Sequence, residues 1–447
     1  MNKRLRIGLV ATMLVPLGAH AQFSPAPEGG PPLKTTFVRL TNTANAILVE
    51  PETPNPLKGR IAVLVTHPEN LNTFNYFIGR ALPKYGYRVM MMNYYGPELS
   101  YYEYLAPLSA AVKALRALPG VEKVVLAGHS TGGPALTSFQ DVAENGAKAC
   151  QEAVRVSKCD AKLTENLAKA DGVMLLDSNA GRPEGTIGLN PAVDPHHPRQ
   201  YDEALDLFSP KNGYDPRTGT AKYSAEFLKK FFAAQAARAN RNIDEAQARL
   251  ALIEQGKGDY KDNEPLVLAG SGLFSAGGSR PELAYIGLLS KTHAPHMLLK
   301  ADGTRPVQII PLVKQPQMRK ADFGPKDQEP YVGSVKQYLA TYGLRLTSDY
   351  RWTEDNIQGV VWRSTAASIG GNLMGIRVPT LVMTATCAPH TVFHEIAFEN
   401  SPASDKEFVG VEGANHGFLP CRPEFGDTFT RAFDYVDGWL SKPGRFL

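Results

Sequence analysis

Short apolar segments rich in β-branched residues recur along the chain, and segments with helical periodicity separate several of them. This alternation predicts an α/β fold with a mostly parallel central sheet flanked by crossover helices. The predicted strands cover residues 60–66 (RIAVLVT), 87–93 (YRVMMMN), 121–128 (VEKVVLAG), 170–177 (ADGVMLLD), 380–384 (TLVMT) and 407–411 (EFVGV), and the predicted helices cover residues 75–85 and 102–118. We therefore expect the sheet to use two parts of the chain, residues 37–177 and 376–447.

The stretch between these two parts, residues 178–375, does not continue the alternation. It holds one strong helical segment over residues 224–255, rich in Ala, Arg, Leu and Glu, and is otherwise interrupted by Pro and Gly. Its segment LVLAGSGLFSAGG has neither the dinucleotide-binding nor the Walker spacing of glycines and is interpreted as a loop. We expect a large, mainly helical cap that is inserted over the carboxyl edge of the sheet.

The first residues have the pattern of an export signal. The segment MNKRLRIGLVATMLVPLGAHAQ has a basic start, an apolar run that is short for a bilayer span, and an Ala-His-Ala cleavage site. This predicts a signal peptide over residues 1–21, a flexible Pro- and Gly-rich leader over residues 22–36, and a secreted or periplasmic protein. An uncleaved anchor or a buried N-terminal helix is the alternative.

The net charge falls nearly to zero when the predicted signal is left out. The whole chain has 48 Lys and Arg against 44 Asp and Glu, but Lys3, Arg4 and Arg6 belong to the signal, which leaves 45 against 44. A nearly neutral chain is not expected to bind nucleic acid or a membrane surface by charge. With 43% apolar and 21% charged residues, the composition is that of a globular protein. No further segment predicts stable membrane insertion, and the oligomeric state stays open.

Four cysteines fit an oxidising compartment. They allow three pairings, of which proximity in sequence favours Cys150–Cys159 and leaves Cys387–Cys421. The competing interpretation is metal binding. There is no Cys-x-x-Cys motif, and the pair His196-His197 has no partner at ligand spacing, so no metal site is expected.

The segment Gly128-His129-Ser130-Thr131-Gly132 matches the pattern G-x-S-x-G between a predicted strand and a segment that can begin a helix. In this context the serine occupies a strained strand-to-helix turn that exposes its hydroxyl at the edge of the sheet, and small residues let the backbone turn tightly. The sequence here resembles the α/β-hydrolase superfamily over the two sheet segments, while the cap matches nothing specific. The resemblance implies that Ser130 is the nucleophile and that a histidine base follows the last strand.

The candidates for the base histidine can be reduced by elimination. Of 10 histidines, one leaves with the signal, His67 and His129 belong to other parts of the site, and four lie in the insertion, which leaves His390, His394 and His416. His416 lies in EFVGVEGANHGF, in the loop after the last predicted strand, where the superfamily has its base. His416 is therefore the expected base, against the alternative of a solvated loop histidine.

The carboxylate that should pair with the base histidine does not follow the superfamily pattern. Its usual place, the loop after the penultimate strand, is occupied by Cys387 and Ala388, which offer no carboxylate. Asp177, at the end of its strand, is the preferred acid, and Glu395 is the fallback. An aspartate that only stabilises a turn is the alternative for Asp177. A Cys387–Cys421 bridge would tie the histidine loop to the loop that lacks the acid.

Backbone N–H groups must stabilise the oxyanion of the reaction intermediate. By the resemblance, Thr131 supplies one, and the loop after the first central strand supplies the other. Pro68 in that loop has no N–H, so Glu69 is the expected donor. Tyrosines follow the second strand, and Tyr94 and Tyr95 are expected to line the substrate site. Packing beneath the cap is the alternative for this group, which is Tyr94, Tyr95, Tyr101, Tyr102 and Tyr104.

Together these features predict an exported serine hydrolase that cleaves a small, uncharged and partly apolar carboxylic ester through an acyl-enzyme, with no metal or organic cofactor. Amide or lactone hydrolysis and acyl transfer would use the same residues. A non-catalytic binding module of the same fold is the alternative from another class, because the acid is missing from its usual place.

Overall fold

The computed structural model describes residues 29–68, 72–96, 100–197, 200–271, 280–314 and 330–447. The predicted signal peptide lies outside these ranges, as does most of the predicted leader. Residues 33–36, the last of that leader, belong to the first strand. No helix in the described ranges is long and apolar enough to cross a membrane.

The strands are numbered in chain order. They are β1 Leu33–Arg39, β2 Ala44–Pro51, β3 Ile61–Thr66, β4 Arg88–Tyr94, β5 Lys123–Ser130, β6 Gly172–Ser178, β7 Tyr214–Asp215, β8 Thr220–Ala221, β9 Pro265–Leu268, β10 His296–Leu299, β11 Val307–Gln308, β12 Tyr331–Ser334, β13 Leu346–Trp352, β14 Ile357–Val360, β15 Thr380–Ala385 and β16 Lys406–Val411.

The α-helices are numbered in the same way. They are α1 Phe77–Ala81, α2 Leu105–Arg116, α3 Gly132–Asn145, α4 Ala147–Cys150, α5 Glu184–Ile187, α6 Ala225–Glu254, α7 Val335–Gln337, α8 Ile369–Asn372, α9 Thr391–Asn400 and α10 Thr428–Leu440.

Within the described residues, ten strands form one sheet in the order β1-β2-β4-β3-β5-β6-β15-β16-β10-β11. The pairs from β4 through β3, β5, β6, β15 and β16 to β10 are parallel, while β1–β2, β2–β4 and β10–β11 are antiparallel. This is the mostly parallel, helix-flanked α/β sheet that the sequence predicted. Each of the six predicted strands corresponds to a strand of this sheet.

The central strands are buried on both faces, as parallel sheets require. Every residue of β3 is buried. Alternate residues of the strands pack on opposite sides, with Leu64 and Leu126 in the core against α2 and α3, and Val63 and Val125 in the core against α1 and α10. The sheet is therefore rigid where the carboxyl ends of its strands carry the predicted site residues.

The cap is built around α6, which matches the predicted helix. Ser224 caps its first turn by accepting a hydrogen bond from the Phe227 N–H. Buried Arg238 in this helix donates to the backbone carbonyls of Asn190, Val193 and Ala269, and burial lowers its pKa to about 10. The helix is thereby joined to the loops that leave the sheet.

The cap differs from the prediction in two ways. It adds two-stranded sheets (β7–β8, β9–β12 and β13–β14) to the helix, so it is less helical than expected. It is also not wholly separate from the core, because β10 and β11 lie inside the predicted insertion but extend the main sheet beyond β16. Without β10, the outer edge of β16 would have unpaired backbone N–H and C=O groups. Pairing with β10 satisfies them.

Candidate active site

Ser130 occupies the turn that the motif predicts. It is the last residue of β5, and α3 begins two residues later. Its φ is 52°, a left-handed conformation that residues other than glycine rarely adopt. A Cβ at Gly128 would lie 2.6 Å from the Gly133 Cα, and one at Gly132 would lie 2.3 Å from the Thr66 carbonyl oxygen. Both glycines are therefore required by the close approach of α3 to β5 and β3.

Asp177 lies beside this turn at the end of the neighbouring strand, β6. It is fully buried, and its φ of 45° is also in the left-handed region. Its Oδ1 accepts a hydrogen bond from the Ala385 N–H at 2.9 Å, and its Oδ2 lies 2.6 Å from Nδ1 of His416. The bond to Oδ1 thus fixes the orientation of the carboxylate, and Oδ2 accepts the hydrogen bond from the imidazole.

His416 follows β16 and reaches Asp177 across β15. Because a carboxylate only accepts hydrogen bonds, the proton of the neutral His416 ring is on Nδ1 and the lone pair is on Nε2. The side chain is 41% exposed, unlike the fully buried Asp177. The structure therefore places the predicted histidine and the preferred acid in direct contact, with the imidazole in the tautomer that can accept a proton at Nε2.

Glu395, the fallback acid, is engaged elsewhere. It is buried in α9, where its carboxylate accepts hydrogen bonds from the backbone N–H groups of His293 and Ala294 at 2.6 and 2.8 Å. It also lies 2.8 Å from Nε2 of His296 at the start of β10. These three contacts give Glu395 a structural explanation, which is to fix the loop that brings β10 to the sheet.

Thr131, the predicted oxyanion donor, is fully buried at the start of α3. Its Oγ1 lies 3.3 Å from a ring nitrogen of His67, which directly follows β3. The loop after β3 therefore approaches the serine turn, as the predicted arrangement requires. Glu69, the second predicted donor, lies outside the described residues.

The predicted tyrosines divide into two groups. Tyr101, Tyr102 and Tyr104 are buried in the core, which agrees with the packing alternative. Tyr94 packs on Tyr104 with ring centroids 4.4 Å apart, whereas Tyr95 is 63% exposed. A very small cavity adjoins the same core and is lined by Pro68, Ser100, Tyr101, Tyr104, Arg182 and Thr341. The assignment of Tyr94 and Tyr95 to substrate contact stays a prediction.

A cluster of histidines surrounds His416, and sequence reasoning missed it. Burial, and secondly the nearby His416, lower the pKa of His67 to about 4 and the pKa values of His129 and His390 well below the usual range. Burial also lowers the pKa of His394. The elimination of candidate histidines considered each residue separately, so it could not indicate that the fold brings these four together. At neutral pH all four are uncharged.

This cluster predicts a pH-dependent stability. Below about pH 6.5 the four histidines take up protons in the unfolded chain but not in the folded one, so the free energy of unfolding should fall as the pH falls. The loss should continue toward about pH 4, where His67 titrates in the folded chain. Urea unfolding between about pH 7.5 and 5 measures it. His67→Gln should make the dependence shallower, and a flat profile would contradict the prediction.

Asp177, His390 and His416 are also the residues most able to approach one metal ion, with ligand atoms within 4.8 Å of one another. However, the His416 and Asp177 atoms are 2.6 Å apart. Two ligands of a tetrahedral zinc ion lie about 3.3 Å apart at the usual bond lengths. The observed spacing is that of a hydrogen-bonded acid–base pair rather than of a preformed zinc site.

The two predicted disulfides are formed, Cys150–Cys159 and Cys387–Cys421, with Cα atoms 5.6 and 6.4 Å apart. The second joins the loop after β15 to the loop that carries His416. Backbone bonds reinforce it, since the Cys387 N–H donates to the Ala414 carbonyl at 2.9 Å and the Cys421 N–H to the Gly413 carbonyl at 2.8 Å. The bridge therefore restrains the His416 loop, as the sequence suggested.

Removal of this bridge should destabilise the fold and loosen that loop. The cysteines are 34 residues apart, and chain entropy predicts that replacing both by Ser lowers the free energy of unfolding by about 4 kcal/mol. The Cys150–Cys159 bridge spans 9 residues, and its loss should cost about 3 kcal/mol. Hydrogen exchange should rise in residues 412–420 only for the first variant. Equal exchange in both variants would show that the bridge does not restrain the loop.

Comparison with known proteins gives similarity at low identity. No protein-family model and no curated protein matches the chain. Among solved structures, it is similar to a hypothetical protein, PA2218, from Pseudomonas aeruginosa, with 12% identity over 98% of this chain and 99% of that one and a TM-score of 0.40. It is also similar to a soluble variant of monoglyceride lipase from Saccharomyces cerevisiae, with 12% identity over 94% and 97% and a TM-score of 0.39. The esterase domain of a Rhodothermus marinus protein has 12% identity over 92% and 98% and a TM-score of 0.36. These values are too low to transfer an activity.

Proposed function

We propose that this protein is an exported hydrolase of carboxylic esters, with Ser130 as nucleophile, His416 as general base and Asp177 as the acid of a triad. The observation that carries the proposal is the 2.6 Å contact between His416 Nδ1 and buried Asp177, beside the strained turn of Ser130. All three residues lie at or after the carboxyl ends of parallel strands, β5, β6 and β16, which supports one site at that edge of the sheet. A buried carboxylate on Nδ1 orients the imidazole and stabilises its protonated form during the reaction.

The reaction follows from these roles. The Ser130 oxygen bonds to the ester carbonyl carbon while its proton passes to Nε2 of His416, and the carbonyl electron pair moves onto oxygen. The Thr131 N–H and, by prediction, the Glu69 N–H stabilise that oxyanion. Collapse breaks the bond to the alcohol, which takes the proton from His416. Water, activated by the same imidazole, then hydrolyses the acyl-enzyme to release the acid and restore Ser130.

A small, uncharged and partly apolar ester is the proposed substrate class. The predicted mature chain is nearly neutral, so it has little net charge to attract a highly charged substrate. Tyrosines cluster at the end of β4 and just after it, and their rings suit a partly apolar group. We include Tyr94 and Tyr95 as contacts on the outer side of this tyrosine cluster.

A substrate panel tests the class. p-Nitrophenyl esters of increasing acyl length, with the matching anilides, should give measurable kcat/KM for the esters and much lower values for the anilides. The acyl length that gives the highest kcat/KM then measures the size of the acyl-binding part of the site. Faster anilide turnover would support an amidase instead. No turnover and no reaction of Ser130 with an active-site reagent would support a non-catalytic binding module.

Export is part of the proposal and has its own test. The predicted cleavage after Ala21 would leave Gln22 as the first residue, and two disulfides agree with an oxidising compartment. Intact-mass analysis of the protein recovered outside the cytoplasm should give the mass of a chain from residue 22 with four oxidised cysteines. A chain that retains Met1, or that stays in the cytoplasm with free thiols, would contradict export.

A further inference from the structure

His129 links the strand that ends in Ser130 to the loop that carries His416. It is buried, and its Nε2 lies 2.6 Å from the main-chain carbonyl oxygen of His416. A carbonyl oxygen only accepts, so Nε2 must carry the ring hydrogen. Nδ1 of the neutral ring then has the lone pair, and the Tyr76 hydroxyl donates to it. The tautomer of His129 is thus determined by the His416 carbonyl, and the Tyr76 hydroxyl adapts to it as the donor.

The packing around His129 leaves its ring little freedom. Its ring centroid lies 4.3 Å from that of His416, and Phe77 meets it edge-on at 4.9 Å. The centroid of the Tyr76 ring lies 5.6 Å from that of His129. The neighbouring side chains hold the ring, and both of its nitrogens are hydrogen-bonded. The ring therefore keeps the Ser130 strand and the His416 loop at a fixed distance from each other.

We infer that His129 is a positioning residue, which sets the distance between the Ser130 strand and the His416 loop through its Nε2–H bond, while the Tyr76 hydroxyl holds the other side of the ring through Nδ1. The inference rests on the proposed function, because it assigns a purpose to the bond that joins the Ser130 strand to the loop of the proposed base. An apolar residue of similar size would fill the same space. It would leave the His416 carbonyl without this donor.

The kinetic consequence is specific. His129 does not belong to the reacting groups, so its loss should leave substrate binding intact and reduce the fraction of complexes with His416 in reach of the Ser130 hydroxyl. Misplacement of a catalytic group by about 1 Å can lower the rate about 100-fold. We therefore expect kcat to fall and KM to remain nearly constant, which separates positioning from damage to the substrate site.

Three variants test the inference in the full mature chain, with p-nitrophenyl butyrate as substrate and with active sites counted by an organophosphonate. His129→Leu should lower kcat about 100-fold with KM within about twofold. His129→Gln keeps an N–H that can reach the His416 carbonyl, so it should recover most of the lost kcat. Tyr76→Phe, which removes the hydrogen bond at Nδ1 but keeps the bond from Nε2, should have an intermediate kcat.

Tyr87→Phe is the matched control for Tyr76→Phe. Tyr87 is buried on the same side of the sheet, but its hydroxyl donates to Asp437 in α10, away from the site. It should lower the unfolding temperature and leave kcat unchanged. Hydrogen exchange in residues 413–418 should rise for His129→Leu and not for Tyr87→Phe, and this readout does not depend on turnover.

The outcomes separate the inference from the proposed function. An active wild-type chain whose His129→Leu variant retains full kcat would overturn the positioning role alone. So would equal losses in the Gln and Leu variants at equal unfolding temperature, or a loss confined to KM. If His129→Leu does not fold, the Gln and Tyr76→Phe variants decide in the same way. A wild-type chain with neither turnover nor an organophosphonate adduct would overturn the proposed function, and the positioning role with it.

Discussion

Replacement of Ser130 by Ala should lower kcat for ester hydrolysis by about 10⁶-fold, the loss that follows when a triad nucleophile is removed. Without the Ser130 oxygen no acyl-enzyme can form, and the remaining groups can only bind the ester and polarise its carbonyl. The Thr131 N–H should still be present, so a small residual rate above that of water is expected.

A matched serine makes this prediction selective. Ser138 lies in α3, is buried, and belongs to the core rather than to the sheet edge. Ser138→Ala makes the same chemical change and should keep kcat near that of the wild-type chain. Measurement of kcat and KM for a p-nitrophenyl ester with both variants decides the matter. Residual activity above about one per cent in Ser130→Ala would exclude Ser130 as the nucleophile.

Replacement of Asp177 by Asn should lower kcat by about 10⁴-fold while the fold is kept. The amide has the shape of the carboxylate, and its oxygen can still accept the hydrogen bond from the Ala385 N–H. Its NH₂ group would then face Nδ1 of His416 and donate to it. The imidazole proton would move to Nε2, which could no longer accept the proton of Ser130.

Glu395→Gln is the control for this variant, because Glu395 was the other candidate acid. Its carboxylate holds the loop before β10, so the substitution should lower the unfolding temperature. It should leave kcat within a few-fold of the wild-type value. Near-normal turnover in Asp177→Asn together with a large loss in Glu395→Gln would transfer the role of the acid to Glu395.

Periodicity predicted the parts of the fold that are buried on both faces. Segments such as IAVLVT and VVLAG are continuous apolar runs, and such runs are typical of central parallel strands. The edge strands could not be found in this way. In β1, Phe37 is 63% exposed and residues 34–36 are polar and exposed, so the strand is held mainly by backbone pairing with β2. The strands β10 and β11 are four and two residues long and depend on the edge of β16.

The candidate site shows the same division between local and long-range information. Ser130 could be found from its turn, since the glycines and the adjacent strand are local features. Asp177 could only be preferred over Glu395, because the choice depends on which carboxylate the fold brings to His416. The two acids are separated by more than 200 positions in sequence. The Tyr76–His129–His416 chain had no local signal, since it depends on contacts between three separate loops and strands.

One measurement tests the central proposal most directly, namely the intact mass of the wild-type and Ser130→Ala chains after reaction with an organophosphonate. The proposal predicts one covalent adduct per wild-type chain, located on Ser130 by peptide mapping, and no adduct on Ser130→Ala. Failure of the folded wild-type chain to react at any value between about pH 6 and 9, or an adduct that persists in Ser130→Ala, would contradict it.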